Sequence, residues 1–113
     1  MISHVDTIFS GTKSESGDTS ATPIITKYDK EAIIYFDVSA ASGTTPTLDL
    51  TLKTYDPVSA KWYELAHFTR KTTTGQDVGY VQYGINEKLA AFYVIGGSNP
   101  SFTFTVSANL KDR

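Results

Sequence analysis

Ser42-Gly43-Thr44-Thr45-Pro46-Thr47-Leu48-Asp49-Leu50-Thr51-Leu52 recurs as Gly96-Gly97-Ser98-Asn99-Pro100-Ser101-Phe102-Thr103-Phe104-Thr105-Val106, and the reading of this repeated stretch decides the fold. Each copy sets a glycine three residues ahead of a proline and then alternates strictly. Leu48, Leu50 and Leu52 share one side, with Asp49, Thr51 and Lys53 on the other; Phe102, Phe104 and Val106 stand the same way against Thr103 and Thr105. A period of two is that of a half-buried strand. Gly43 and Gly97 can take a positive φ without steric penalty, and Pro46 and Pro100 preset their own φ at a strand entrance, where the missing N–H costs least. The stretch therefore reads as a hairpin turn leading into a strand, used twice, with the two alternating apolar sets pointing into one core.

Outward from the repeat, most of the chain has strand character. Residues 5–10 form a candidate first strand, and residues 11–20 are polar and aperiodic, which predicts a loop or arm. Residues 24–26, after Pro23, form a short edge strand, and Tyr28-Asp29-Lys30-Glu31 has the chemistry to end it. In residues 32–39, Ile34, Phe36 and Val38 oppose Ile33, Tyr35 and Asp37. Asp56-Pro57 opens a turn, since an Asp side chain can bond the backbone that follows it. Residues 62–69 alternate imperfectly, because Trp62, Leu65 and Phe68 cannot share a face at period two, and a bulge near Glu64 would reconcile them. Residues 71–77 form a threonine-rich loop, residues 78–83 a shorter strand, and Asn86-Glu87-Lys88 a turn into residues 89–95. There Ala90, Phe92 and Val94 oppose Ala91, Tyr93 and Ile95.

Seven to eight short strands separated by turn signals, with no convincing helical period, predict an all-β fold, a single antiparallel β-sandwich of jelly-roll or Ig-like topology. The 113 residues suit one domain over 1–113, and seven tyrosines and six phenylalanines suit a pleated sheet. Residues 32–39 and 89–95 are apolar on both sides, yet each sheet of a small sandwich has only one core face. Taking Ile34, Phe36, Phe92 and Val94 as core leaves Ile33, Tyr35, Tyr93 and Ile95 as the candidate interface with a neighbouring subunit, so a homo-oligomer is expected.

The remaining chemistry is sparse. A net charge of −2 without blocks argues against nucleic-acid binding, which needs a basic stripe. No cysteine is present for disulfides. No apolar run approaches the roughly 20 residues that span a bilayer. Met1-Ile2-Ser3-His4 lacks the charged start and apolar run of a signal peptide, so synthesis in a cytoplasm is expected. His4 and His67 are too few for a metal site. Asp37 and Asp49 bracket the first repeat, but Asp49 lies on a polar strand face and the second copy holds no such pair. Gly96-Gly97 leads into a strand, whereas phosphate cradles precede a helix. No nucleophile elbow accompanies the serines. No enzyme activity and no cofactor are expected. The tyrosines and Trp62 allow one ligand class, glycans stacked on aromatic rings. Clustering in an exposed concavity would favour sugar, and dispersal into core and contacts would favour assembly.

The runs from Asp37 to Leu50, Asp56 to Tyr63 and Gly96 to Phe104, in this order, resemble small tailed-phage proteins encoded among virion structural genes. The likeness covers about two thirds of the chain, residues 32–106. It implies a virion component contacting other capsid or tail proteins: a capsid decoration protein first, a neck or tail accessory subunit as the alternative.

Overall fold

Strands β4 (Glu31–Asp56) and β7 (Lys88–Lys111) carry the fold. In the computed structural model, which describes residues 3–25, 31–81, 85 and 88–111, these two strands pair antiparallel along nearly their whole length, from Glu31↔Lys111 to Thr54↔Leu89. The repeated glycine–proline stretches lie midway along them and face each other, with Ser42↔Ser101, Thr44↔Ser98 and Thr47↔Gly96 in register. They are not hairpin turns. A hairpin pairs the two flanks of one turn, whereas here each flank pairs with the other long strand. Gly43, Pro46, Gly97 and Pro100 thus belong to two corners. The glycine and proline chemistry that suits a turn also suits a sharp bend within a continuous strand.

The corners clasp. Gly43 has φ 112° and Gly97 φ 107°, while the residues two further on, Thr45 and Asn99, sit at φ 47° and 49°. A Cβ on Gly43 would stand 2.7 Å from the Asn99 carbonyl oxygen and 2.9 Å from Pro100 Cα; one on Gly97 would stand 2.6 Å from the Thr45 carbonyl oxygen and 2.9 Å from Pro46 Cα. Each glycine is therefore required twice, by its own dihedral and by the backbone of the opposite corner. Asn99 tolerates the left-handed region, but the β-branched Thr45 is strained there, and its Oγ1 donates to the Thr44 carbonyl at 2.8 Å.

Bending at the corners carries both strands from one layer of a sandwich to the other. Layer one holds β1 (Ser3–Lys13), residues 101–111 of β7, residues 31–42 of β4, and β6 (Gly75–Val81). Layer two holds the short β2 (Gly17–Asp18) and β3 (Ile24–Ile25), residues 88–96 of β7, residues 47–56 of β4, and β5 (Lys61–His67). Counting the arms separately, and β2 with β3 as one interrupted strand because both pair with the same arm of β7, this is a four-on-four antiparallel sandwich with the strand order of a jelly roll. Rings from both layers meet in its centre: Phe104 lies 4.7 Å from Phe9, 6.1 Å from Phe36 and 5.5 Å from Tyr93, centroid to centroid. Leu48, Leu50, Leu52, Phe102, Phe104 and Val106 all point into this core and are fully buried, as their alternation predicts. Each such side chain contributes roughly 1.5–3 kcal/mol by leaving water.

Three local expectations meet the structure differently. The bulge in β5 is present: Lys53 faces Glu64 while Leu52 faces Ala66, so Leu65 is the extra residue. Asp56 caps its turn, accepting from the Val58 and Ser59 backbone N–H groups and from Ser59 Oγ. Those bonds, the Ser59 hydroxyl first, hold its carboxyl below the ordinary value of 3.8. Half of the polar stretch 11–20, expected as a loop, is strand: residues 11–13 and 17–18 pair, and the rest is irregular. β1 runs on through Gly11-Thr12-Lys13 because Ser10 and Thr12 hydrogen-bond Thr105 and Thr103 across the sheet, and β2 adds to β7. Such hydroxyl ladders leave no apolar period in the sequence. The turns expected at 28–30 and 86–87 lie outside the described residues.

Replacing Gly43 with Ala should lower stability by roughly 1–3 kcal/mol, whereas Thr45→Asn, which copies the residue at the equivalent Asn99, should raise it by about 1 kcal/mol. Urea midpoints at constant slope would check both. A stabilised Gly43→Ala or a destabilised Thr45→Asn would contradict the corner geometry.

Candidate interaction face

The outer face of layer one forms a grid. In its first row Val5, Asn109, Ile33 and Tyr80 stand side by side across four strands; in the second stand Thr7, Ser107, Tyr35 and Val78; in the third, Ser10, Thr105, Asp37 and Gln76. The rows grade from apolar to hydroxylated. Tyr80 is 68% exposed, Val5 67%, Tyr35 46% and Val78 45%, so four of the seven exposed large hydrophobic side chains among the described residues fall on this one face. A groove of about 420 Å³ runs beside them, lined by Tyr35, Asp37, Gln76, Asp77 and Val78. Asn109, flanked in its row by Val5 and Ile33, has a buried side-chain oxygen without a hydrogen-bond partner. Such an atom costs about 1–3 kcal/mol.

Of the candidate interface residues, Ile33 and Tyr35 lie on this face, and Tyr93 and Ile95 do not. Tyr93 is 5% exposed, in ring contact with Phe9 and Phe104, and Ile95 packs against the same core, while Val94 on the opposite side is 60% exposed. The inversion has a specific cause. Val38 faces Phe104 but Ala40 faces Thr103, so Ser39 is an extra residue in β4; no register shift interrupts the matching arm of β7 between Gly96 and Leu89. One inserted residue exchanges inner and outer positions, so the two copies of the repeat agree after the corner and disagree before it.

The outer face of layer two carries a different cluster. Trp62 stacks at a tilt against Tyr55 at 5.1 Å and Phe92 at 5.6 Å. Lys53 Nζ lies 4.6 Å over the Phe92 ring and Lys88 Nζ 4.9 Å over the Tyr55 ring. Ala90, opposite Lys53, is fully buried although its register puts it outside, which the neighbouring rings and lysine stems account for. Beyond them Asp49 accepts two hydrogen bonds from Arg70, at 3.0 and 2.9 Å, and His67 Nδ1 lies 3.2 Å from Thr51 Oγ1.

The other sequence candidates are not brought together. Asp37 stands on layer one beside Gln76 and Thr105, and Asp49 on layer two beside Val94, so the two carboxylates form no pair. Among the described residues no group of three or more metal-ligating side chains converges. The tyrosines disperse: Tyr93 into the core, Tyr55 into the ring cluster, Tyr35 and Tyr80 onto layer one, and Tyr63 to the rim, where its hydroxyl is 3.2 Å from Ser59 Oγ. Tyr28 and Tyr83 lie outside the described residues. Sequence reasoning missed Val78, Tyr80 and Asn109; only the pairing of β6 with β4 puts the first two beside Tyr35 and Ile33.

The class defined by this geometry is a jelly-roll β-sandwich with one sheet face left apolar. No protein-family model and no curated protein sequence matches the chain. Solved structures share the fold. The CBM22-1 xylan-binding domain of Paenibacillus barcinonensis Xyn10C superposes with a TM-score of 0.51 at 14% identity, over 98% of this chain and 83% of that one. The SPBc2 prophage-derived protein YomS gives 0.50 at 9% identity, over 96% of this chain and 93% of that one. Clostridium thermocellum xylanase 10B, with CBM22-1 and GH10 modules, gives 0.51 at 7% identity, and this chain spans 29% of it.

Replacing Asn109 with Val removes the unpartnered oxygen and adds a β-branched side chain. Stability should rise by about 1 kcal/mol in urea unfolding. An unchanged or lower midpoint would mean that the amide is satisfied in solution.

Proposed function

We propose that this protein is a non-enzymatic structural subunit of a tailed-phage particle, attached to the capsid exterior as a decoration protein through the outer face of layer one. The gathering of Val5, Tyr35, Val78 and Tyr80 on that face carries the reading. Exposed apolar side chains grouped on one sheet suit protein contact, where tyrosine adds area and one hydrogen bond at low entropic cost. Two further observations support a virion setting. The sequence resembles virion structural proteins, and the fold is shared with a prophage-derived protein of similar length. A neck or tail seat is the alternative, and the location of label on whole particles distinguishes it.

A second reading rests on the Trp62 cluster, a row of three rings on a fold shared with a xylan-binding domain. Its rings tilt against one another and two lysines lie over them, and the tyrosines scatter over core, rim and opposite layer. Dispersal favours assembly over sugar binding.

Purified protein should co-sediment with particles of the phage that encodes it, after these have been stripped of it, and Tyr35→Lys/Tyr80→Lys should remain soluble, folded and at least about tenfold weaker in binding. Xylo-oligosaccharide should leave the fluorescence of Trp62, the single tryptophan, unchanged. Failure of the parent protein to bind particles, or equal binding by the double variant, would contradict the proposal; a saturable fluorescence shift would favour the sugar.

A further inference from the structure

Edge strands invite pairing, and folded proteins usually block them with lysine, proline, a bulge or brevity. Three edges of this sandwich follow that rule. β1 has a register break between Thr7 and Phe9 and ends on Lys13. β5 contains Lys61, Glu64, His67 and the bulge at Leu65. β2 and β3 are two residues each.

β6 follows none of it. Its seven residues, Gly75 to Val81, pair with β4 from Val38↔Gly75 to Ala32↔Val81 without a break, and contain no lysine, no proline and a single charge, Asp77. Among the described residues no strand takes its other side. The Val78 N–H is accepted by Asp77 Oδ1 at 3.0 Å, which places it on the side away from β4. Because N–H and C=O of one residue point the same way in an antiparallel ladder, Gln76, Val78 and Tyr80 all present both groups to the open edge.

We propose that this edge pairs with the same edge of a second copy, antiparallel about a two-fold axis at Val78. That register sets Val78 against Val78 of the second copy, Gln76 against Tyr80 and Asp77 against Gly79. The three facing positions that point outward exchange their N–H and C=O groups in pairs. No carboxylate meets a carboxylate: each Asp77 stands across from a glycine, and leaves Val78 N–H while keeping Lys71, whose Nζ is 3.9 Å away. On the outer face, Val78 and Tyr35 of one copy continue into Val78 and Tyr35 of the other. The two layer-one sheets become one eight-stranded sheet with a doubled apolar band. A self-complementary register is what selects a second copy over an unrelated extended peptide.

The pairing stands without the particle reading, although it would double the face that reading uses. Sedimentation velocity over a micromolar concentration series tests it. The parent protein should move from one chain mass to two, and Val78→Pro should weaken association by at least about tenfold with its circular dichroism unchanged, since proline is tolerated where an edge N–H faces solvent. Val78→Lys, at an exposed position, sets two ammonium groups against each other on the axis and should be monomeric; it decides the matter if the proline variant fails to fold. A parent protein monomeric throughout, or lysine-variant dimers as tight as the parent's, would overturn the proposal. A monomer that still binds particles would overturn this inference alone, and a dimer indifferent to particles would overturn the particle reading alone.

Discussion

Everything in this fold depends on the mutual clasp of two backbone corners. Gly43 lies under the Ser98–Pro100 backbone and Gly97 under the Thr44–Pro46 backbone, so neither strand can bend here unless the other bends with it. The bend is what makes a sandwich from two strands of 26 and 24 residues, which would otherwise lie as one long exposed ribbon. Once bent, each strand contributes an arm to both layers, and the alternating Leu48–Leu52 and Phe102–Val106 sets close on the rings from the other arms. Local strain at Thr45 is offset by that burial.

The same geometry leaves two unlike outer faces. On layer two, aromatic rings are present but occupied by one another and by lysine stems, so the face is finished within the chain. On layer one Val5, Tyr35, Val78 and Tyr80 stand exposed among polar neighbours, and among the described residues the edge strand β6 is unguarded. Exposed apolar side chains beside an open edge are the features that the proposed attachment to another molecule would use. The contrast between the faces weighs assembly above ligand capture.

Much of this was legible in the sequence and some of it was not, for physical reasons. Alternation after each proline placed six core residues correctly, because period two is a local property. The positive φ at both glycines was legible for the same reason. Whether a Gly-x-x-Pro stretch reverses the chain or only bends it depends on a partner strand some fifty residues away, and nothing local encodes that choice. Ser39 shows the limit more sharply: an inserted residue in a small polar run leaves no pattern, yet it inverts residues 32–38 of β4 relative to the unbroken arm of β7, where Tyr93 and Ile95 face the core. The candidate face was half visible, through Ile33 and Tyr35. Its other half, Val78 and Tyr80, sits in a glycine-rich strand whose importance comes only from lying beside β4.

The clasp itself is most directly tested by a double-mutant cycle of Gly43→Ala and Gly97→Ala, measured by urea unfolding. Because each added methyl would push the same pair of corners apart, the second substitution should cost less once the first is present. The combined loss should fall short of the sum of the single losses by at least about 0.5 kcal/mol. Losses additive to within about 0.3 kcal/mol would mean two independent turns and would contradict the account.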